Sequence, residues 1–489
     1  MNAVVNKCSQ LRQVVIVGNG LVAAGAAVTL ANALNAGDCK VIWVSVGTVS
    51  QEAGQAIEVA DPAFVRWLTM VGYPEHELLR SCRGLYTLGL QYNNNATDFF
   101  FPYGTHGIEP SPAPFEQEFF RRFAGADQLA FANHFLATHM ARLGRFDFPV
   151  DDPRSAKSTL GYGLHLDRTA LVQCLVEYAR TLGVECVSCD TLQVHGSREN
   201  GIESLSLDNQ TPLAGDFFVD ATGEPSLLLR QALHEPYECD DTTPWRYRVS
   251  YSEKRQEAHH PFAQMIREPW GWRRRSGLQD NLTVDCWVRD EAALRTVEQA
   301  IKPGNYCIET MQSGRSRQSW VGNCLALGKA AGQPGELMYS EWSWASRCLL
   351  LWLELLPDRR GRARLRDEYN RRWREMYAVL SEIHWMHAAG VECETENLPE
   401  PLQWRLSIFS GFGRLWRRDD EVLSDEAWIV LALGLGWYPQ GYDITLTDVD
   451  MDRLQDKHKK IYRTLVKVAE SMPTLTTTLK NLKCVNKTP

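Results

Sequence analysis

Three sets of residues in the chain have types and spacing that could do chemistry. The first is Gly18-Asn19-Gly20 with Ala23 three residues on, between the β-branched run Val14 to Val17 and the Ala-rich stretch Ala24 to Leu34. Gly18 permits a tight turn, Gly20 lets a pyrophosphate approach the backbone, and Ala23 lets a helix pack closely, with the helix N-terminus attracting phosphate. The second run Val41 to Val44 completes a βαβ unit of the dinucleotide-binding kind. The acid that would hold a ribose hydroxyl at the end of that second strand falls on Ser45, which has no carboxylate. The second stretch is Asp220-Ala221-Thr222-Gly223, closing a strand from Asp216 to Val219. Its small residues let a cofactor pass close, and its acid orients backbone. The third is a pair of metal-like patterns, Cys186-Val187-Ser188-Cys189 and the helical pair His384 and His387. The first lacks a second cysteine or histidine pair and the second lacks a third ligand, so no metal site is expected.

Several elements must position these groups. Asp61-Pro62 starts a helix with Phe64, Trp67, Leu68 and Val71 on one face, and Leu85 to Tyr92 reads as a single strand. Phe99 to Gly104 reads as an aromatic loop, and Phe115 to Gly144 as Phe-rich helices. Asp167 caps a helix that runs through Leu182 to Gly183, with His165 just before it read as a structural histidine. A second β-rich section lies between Cys239 and Thr310. Trp320 to Gly332 gives a further strand and glycine turn before a helix from about Glu341 to Leu356, and the chain beyond Pro357 reads as mostly helical.

Composition narrows the classes of function. The chain has 489 residues and a net charge of −8 without a long run of one sign, so neither nucleic acid nor an anionic membrane is an expected partner. The basic runs Arg273-Arg274-Arg275 and Arg371-Arg372 read as solvated faces or single-anion contacts. Thirteen cysteines without framework spacing suit reduced thiols and a cytoplasmic location. The glycines and asparagines within Val14 to Leu34 argue against a signal or membrane segment. Sixteen tryptophans, concentrated after Trp245, suit either packing around a planar ligand or a large core.

Taken in order, these pieces resemble the flavin-dependent tryptophan halogenase family over nearly the whole chain. The resemblance is carried by Gly18-x-Gly20, by Tyr162-Gly163-Leu164-His165-Leu166-Asp167 against Y-x-x-H-F-D, and by the D-A-T-G end. Gly271-Trp272 with Leu278-Gln279, Asn323 to Gly332 against N-x-V-A-L-G-x-A-A-G, Tyr369-Asn370-Arg371 and Ile383-His384-Trp385 add to it. So do Ser424 to Trp428 and Gly434 to Tyr442 near the end. It implies an α/β, FAD-binding Rossmann-like fold with a substrate-covering β-sheet and a mostly helical C-terminal part. The FAD part is expected at about 10–60, 155–235 and 315–356, the substrate part at about 61–154 and 236–314, and the helical region at 357–489. Gly18, Gly20, Ala23, Ser45, Asp220, Gly223, Gly328 and Ala331 are the expected cofactor residues, and Phe101, Tyr103 and Trp272 the stacking surfaces for a planar substrate. In the family, FAD reduced by a separate reductase forms a flavin hydroperoxide that oxidises halide. A lysine assisted by a glutamate then relays the hypohalous acid to an indole.

This sequence departs from the family at the relay. F-K-x-G-I falls on Tyr86-Thr87-Leu88-Gly89-Leu90, so Thr87 stands for the lysine. L-E-P-L-E-S-T falls on Pro334 to Ser340, so Met338 stands for the glutamate, with Glu336 and Glu341 nearby as substitutes. W-x-W-x-I-P keeps only Trp272, and G-E-A-T becomes Gly54-Gln55-Ala56-Ile57. A kept cradle and a lost relay lead to the expectation of an FAD-dependent oxidoreductase that hydroxylates an indole or phenol, free or carried on a peptide or carrier. The alternatives are a halogenase whose donor is displaced, with Arg274 as one candidate, and a non-catalytic accessory flavin-fold protein. A homodimer is left open.

Overall fold

The computed structural model describes residues 10–34, 38–47, 56–94, 97–107, 114–208, 211–240, 245–254, 258–301, 306–358, 363–389, 398–447 and 450–484. Gly54 and Gln55 of the altered G-E-A-T stretch lie outside them.

The βαβ reading leads directly to the central layer. Gln13–Gly18 pairs in parallel with Lys40–Val46 on one side and Phe217–Ala221 on the other. Glu185–Cys189 and Cys324–Ala326 extend the sheet to either side, and Trp320–Val321 closes it as an antiparallel edge. Val14 to Val17 are wholly buried, as expected of a parallel strand covered on both faces. The helix Gly20–Leu34 is buried on nearly every side, between the helices Arg168–Thr181 and Glu341–Glu354. Its small residues make this possible, since a Cβ at Gly25 would lie 2.5 Å from the Trp342 ring.

A seven-stranded sheet forms the second layer, in the order Tyr306–Thr310, Tyr247–Lys254, Asn281–Val288, Gly271–Gly277, Ala263–Glu268, Gly89–Asn94, Thr97–Pro102. The three-stranded sheet of Ile57–Ala60, Gly163–Asp167 and Leu85–Thr87 lies beside it. Asp61 and Asp167 cap their helices as expected, accepting from Ala63 and Phe64 and from Ala170.

Four readings need correction. Leu85 to Tyr92 is two strands in different sheets, because Gly89 has φ +152° and brings its backbone against Phe101 O, turning the chain at Leu88. Phe99 to Pro102 belongs to an edge strand rather than a loop, since aromatic residues fit a pleated surface, and Phe99 stacks on Tyr92 at 4.4 Å. Arg274 is not solvated: Arg273 and Arg275 are half-buried while Arg274 points into the core, where a carboxylate awaits it. Arg372 is likewise held, its guanidinium bonding Asp420 at 2.8 Å. The hairpin strand Gly201–Leu207 and the helix Glu291–Ala300 have no counterpart in the sequence reading.

The C-terminal helices return to the front of the molecule. Met451–Ser471 packs on Phe115–Arg122 and Leu136–Arg142, with His458 Nδ1 2.9 Å from His134 Nε2. Ala363–Ala389 docks on the Trp320–Val321 edge, where the Asn370 carboxamide accepts from the Ser319 and Trp320 N–H groups and donates to Trp320 O. No helix among the described residues is long and apolar enough to cross a membrane.

Candidate functional site

The cradle is built by crowding on one side and space on the other. A Cβ at Gly18 (φ +142°) would fall 2.0 Å from Ala221 O, so the D-A-T-G strand end forces glycine there. At Gly20 (φ +76°) and Gly223 (φ +72°) a Cβ would meet nothing within 4 Å, which leaves room for a ligand. Trp43 Nε1 donates to Gly18 O and Asn19 Nδ2 to Val46 O, fixing the turn, while Asn19 Oδ1 is buried without a partner among the described residues. The first turn of Gly20–Leu34 contains no acidic side chain, so its positive end is not neutralised locally. These features fit the pyrophosphate of a dinucleotide. Ala23 is wholly buried beneath the turn, and Ser45 is half-buried at the strand end with no carboxylate to offer a ribose.

Asp220 is wholly buried. Its oxygens accept from Thr222 and Ser226 and from the Leu228 and Leu229 N–H groups, so it fixes the turn after Gly223. Gly328 (φ +58°) starts a tight turn against Val22 and Glu341, and Ala331 closes that turn by donating to Gly328 O. A cleft of about 270 Å³ opens beside it, with Glu224, Arg230, Tyr237, Lys329 and Gln333 in its wall.

Beneath the cleft lies a buried set of charges, of which the sequence reading named Arg274, Glu336 and Glu341 and missed Arg168, Arg248, Asp285, Glu309 and Lys329. Arg248 bonds Asp285 at 3.1 Å and Glu336 at 2.8 Å; Arg274 bonds Asp285 at 3.0 Å. Lys329 stands 3.6 Å from Glu336 and also bonds Glu309, and Arg168 bonds Glu341 at 3.0 Å. Burial works against charge on Glu336, yet Lys329 and Arg248 hold it down to about 2. Asp285 is held well below the usual carboxylate range in the same way, by Arg248 and Arg274 against the cost of burial. Glu58, on Ile57–Ala60, goes the other way: burial raises it, with Arg168 and Ser340 opposing. A glutamate within the apolar strand Ile57-Glu58-Val59-Ala60 was the available signal for it.

The altered relay positions are not solvent-facing. Thr87 is wholly buried, and its hydroxyl donates to Gly89 O. Met338 is buried, and Arg274 Nη1 reaches Leu337 O beside it at 3.4 Å. The structure therefore brings Arg274, on the strand Gly271–Gly277, against the loop that carries Glu336 and Met338. Tyr103 and Tyr92 feel the charge of Arg274, and burial raises both phenols. Phe101 meets Tyr103 edge-on at 6.5 Å. Trp272 is wholly buried, its indole donating to His387 O, and packs edge-on to Tyr92. His387 is occupied by Tyr92 and Ile383 O, and no cluster of metal ligands occurs among the described residues. The Cys186 and Cys189 thiols donate to backbone carbonyls of Val184 and Ser45.

A family model described as "Tryptophan halogenase" matches residues 13–451. The 7-chloro-L-tryptophan 6-halogenase KtzR of Kutzneria sp. is 27% identical over 276 residues, which cover 52% of this chain and 53% of that protein. The chain thus spans about half the length of that relative. The tryptophan 6-halogenase ThaL of Streptomyces albogriseolus is 23% identical over 401 residues, 76% of this chain and 74% of that one. Among solved structures, BrvH, a flavin-dependent halogenase from Brevundimonas sp. BAL3, superposes with a TM-score of 0.86 at 20% identity, covering 97% of this chain and 99% of that one. The structural likeness shows the fold, and the family match over most of the chain joins it to the glycine cradle described above. The chain belongs to the tryptophan halogenase family, oxidoreductases that act with FAD and oxygen.

Proposed function

We propose that the protein is a flavin-dependent halogenase that places chloride or bromide on an electron-rich aromatic ring of the indole class, with its relay donor displaced from Thr87 to the buried set around Arg274. The observation that carries this reading is Arg274 itself. It is 6% exposed, anchored to Asp285, and reaches the carbonyl beside Met338, with Tyr92 and Tyr103 within range of its charge. A cation so placed can hold an oxidised halogen by hydrogen bonding and align it with a ring, the work the family assigns to lysine. Lys329 and Glu336 form a lysine–glutamate pair next to Gly328. The glycine cradle would hold FAD, with segments 10–60, 155–235 and 315–356 forming its seat and 61–154 and 236–314 covering the substrate. When bound and reduced by a separate reductase, FAD supplies the oxygen activation. The chain supplies orientation, a dry chamber and hydrogen-bond donors.

Hydroxylation is the second reading, favoured by the Thr87 hydroxyl being committed to Gly89 O and by Met338 offering no carboxylate. Incubating the protein with FAD, a flavin reductase, NADH, tryptophan or indole, and either chloride or bromide separates the two. A product whose mass follows the halide supplied supports halogenation. An oxygenated product formed equally without halide establishes hydroxylation instead. Failure to retain FAD in either redox state refutes both and leaves an accessory protein.

A further inference from the structure

Glu58 is a buried carboxyl group, bonded through one oxygen to Ser340, in a place where charge is already balanced. Its side chain is 2% exposed, and Oε1 has no hydrogen-bond partner among the described residues. The charged and polar groups facing it are Arg168 at the start of Arg168–Thr181, Arg274 on Gly271–Gly277, and Glu336 and Ser340 ahead of Glu341–Glu354. Within this set four cations, Arg168, Arg248, Arg274 and Lys329, meet four carboxylates, Asp285, Glu309, Glu336 and Glu341. A fifth carboxylate would be an unmatched buried charge, so the set favours Glu58 in its protonated, neutral form. Burial raises Glu58 in the same direction.

The balance of the two candidate reactions gives that proton a use. In halogenation, reduced FAD, O2, halide, one proton and an aromatic C–H become FAD, an aryl halide and two waters. In hydroxylation, reduced FAD, O2 and the aromatic C–H become FAD, a phenol and one water, with no proton taken up. Only halogenation needs an acid in net terms. Thr87 is no acid, Met338 has no proton to give, and Glu336 and Asp285 are held ionised by their arginines and by Lys329.

We propose that Glu58 is the acid of this site, supplying the proton that leaves in water and standing in for the glutamate that Met338 replaces. The proposal rests on the halogenase reading. The Glu58 O–H bond breaks and an O–H bond of product water forms. The carboxylate left behind is steadied by Arg168, Arg274 and the Ser340 hydroxyl until solvent returns the proton. The Ser340 hydroxyl that bonds Glu58 lies two residues after Met338, so the acid meets that loop from the strand Ile57–Ala60.

The test compares the wild-type protein with Glu58→Gln and Glu58→Asp. Infrared spectra of the apoprotein near neutral pH are expected to show a protonated carboxylic C=O band that Glu58→Gln removes; a wild type without that band overturns the proposal. In the holoenzyme, Glu58→Gln is expected to retain FAD and its melting temperature while halogenated product per reduced flavin falls about 10²-fold and hydrogen peroxide rises in its place, with partial recovery in Glu58→Asp. Wild-type product yield in Glu58→Gln overturns the acid role but leaves the halogenase reading standing. Wild-type protein that makes no halogenated product defeats both.

Discussion

Replacing Asp285 with asparagine removes the charge that holds two buried arginines while keeping the shape of the side chain. Asp285 accepts from Arg248 at 3.1 Å, Arg274 at 3.0 Å and the Ser250 hydroxyl at 2.7 Å, and its side chain is 2% exposed. Arg248 keeps Glu336, but Arg274 is left with no ionic partner of its own among the described residues. Breaking a buried pair from one side costs about 3–5 kcal/mol, because the remaining charge stays desolvated. For a chain of 489 residues the unfolding entropy makes 1 kcal/mol worth about 1 °C, so a fall of about 3–5 °C is expected in the apoprotein. Tryptophan fluorescence during heating reads the unfolding, and Trp287, with Arg274 and Arg248 at 4.9 and 5.7 Å from its ring, is one of the sixteen indoles that contribute. The pH dependence adds a sign. Asp285 is lowered on folding, so its contribution is complete above its ordinary value of 3.8 and is lost as pH falls through and below it. The gap between wild type and Asp285→Asn should hold steady from pH 8 to 6 and narrow in acid. Combining Asp285→Asn with Arg274→Met should cost less than the sum of the two. A variant within about 1 °C of wild type at pH 7, or a gap that widens in acid, refutes the reasoning.

Three further outcomes follow from the same geometry. Gly20→Ala places a Cβ in open space at φ +76°, so the apoprotein should lose only about 1–2 kcal/mol, while FAD retention on a desalting column drops about tenfold or more; unchanged retention would show that the pyrophosphate does not pass there. Thr87→Lys puts an ammonium in a wholly buried position, and a three-unit fall in its pKa corresponds to about 4 kcal/mol; adding Met338→Glu should recover part of the lost stability if the two positions share a chamber, as urea titration will report. His134 and His458 are lowered by burial to about 4 and about 3, so the unfolded chain takes up protons before the native one does. Stability should be level above pH 6.5 and decline from there toward pH 4, and His458→Phe should flatten that decline.

The cradle was legible because its information is local. A β-branched run, two glycines and an alanine stripe state their own periodicity, and the strand, turn and helix follow without knowledge of any distant residue. The capping roles of Asp61 and Asp167 were legible for the same reason. Arg274 was named as a candidate donor, but its burial and ion pair were not legible, because three consecutive arginines look like a solvated face until Asp285 appears on the neighbouring strand. Which of the three turns inward is decided by sheet alternation. Phe99 to Phe101 was misread because an unbroken aromatic run shows no period of two, and only its pairing with Gly89–Asn94 makes it a strand. Thr87 and Met338 were located through the family resemblance. What holds the neighbouring Glu336 depends on Arg248 and Lys329, which come from separate elements of the chain.

The contact of His458 with His134 joins residues 324 positions apart, and with it the helix Met451–Ser471 covers the phenylalanine-rich segment near Phe115 and Phe119. During synthesis at about 5–20 residues per second, that segment waits about 15–65 seconds before the helix that covers it exists. For that interval the nascent chain displays an aromatic surface with no native cover, which is a natural attachment point for a holdase chaperone and a hazard on crowded polysomes. Production of the protein should therefore be limited by events at the ribosome before it is limited by the stability of the finished fold. Slower elongation should lower the soluble yield, and co-expressed chaperone should restore it.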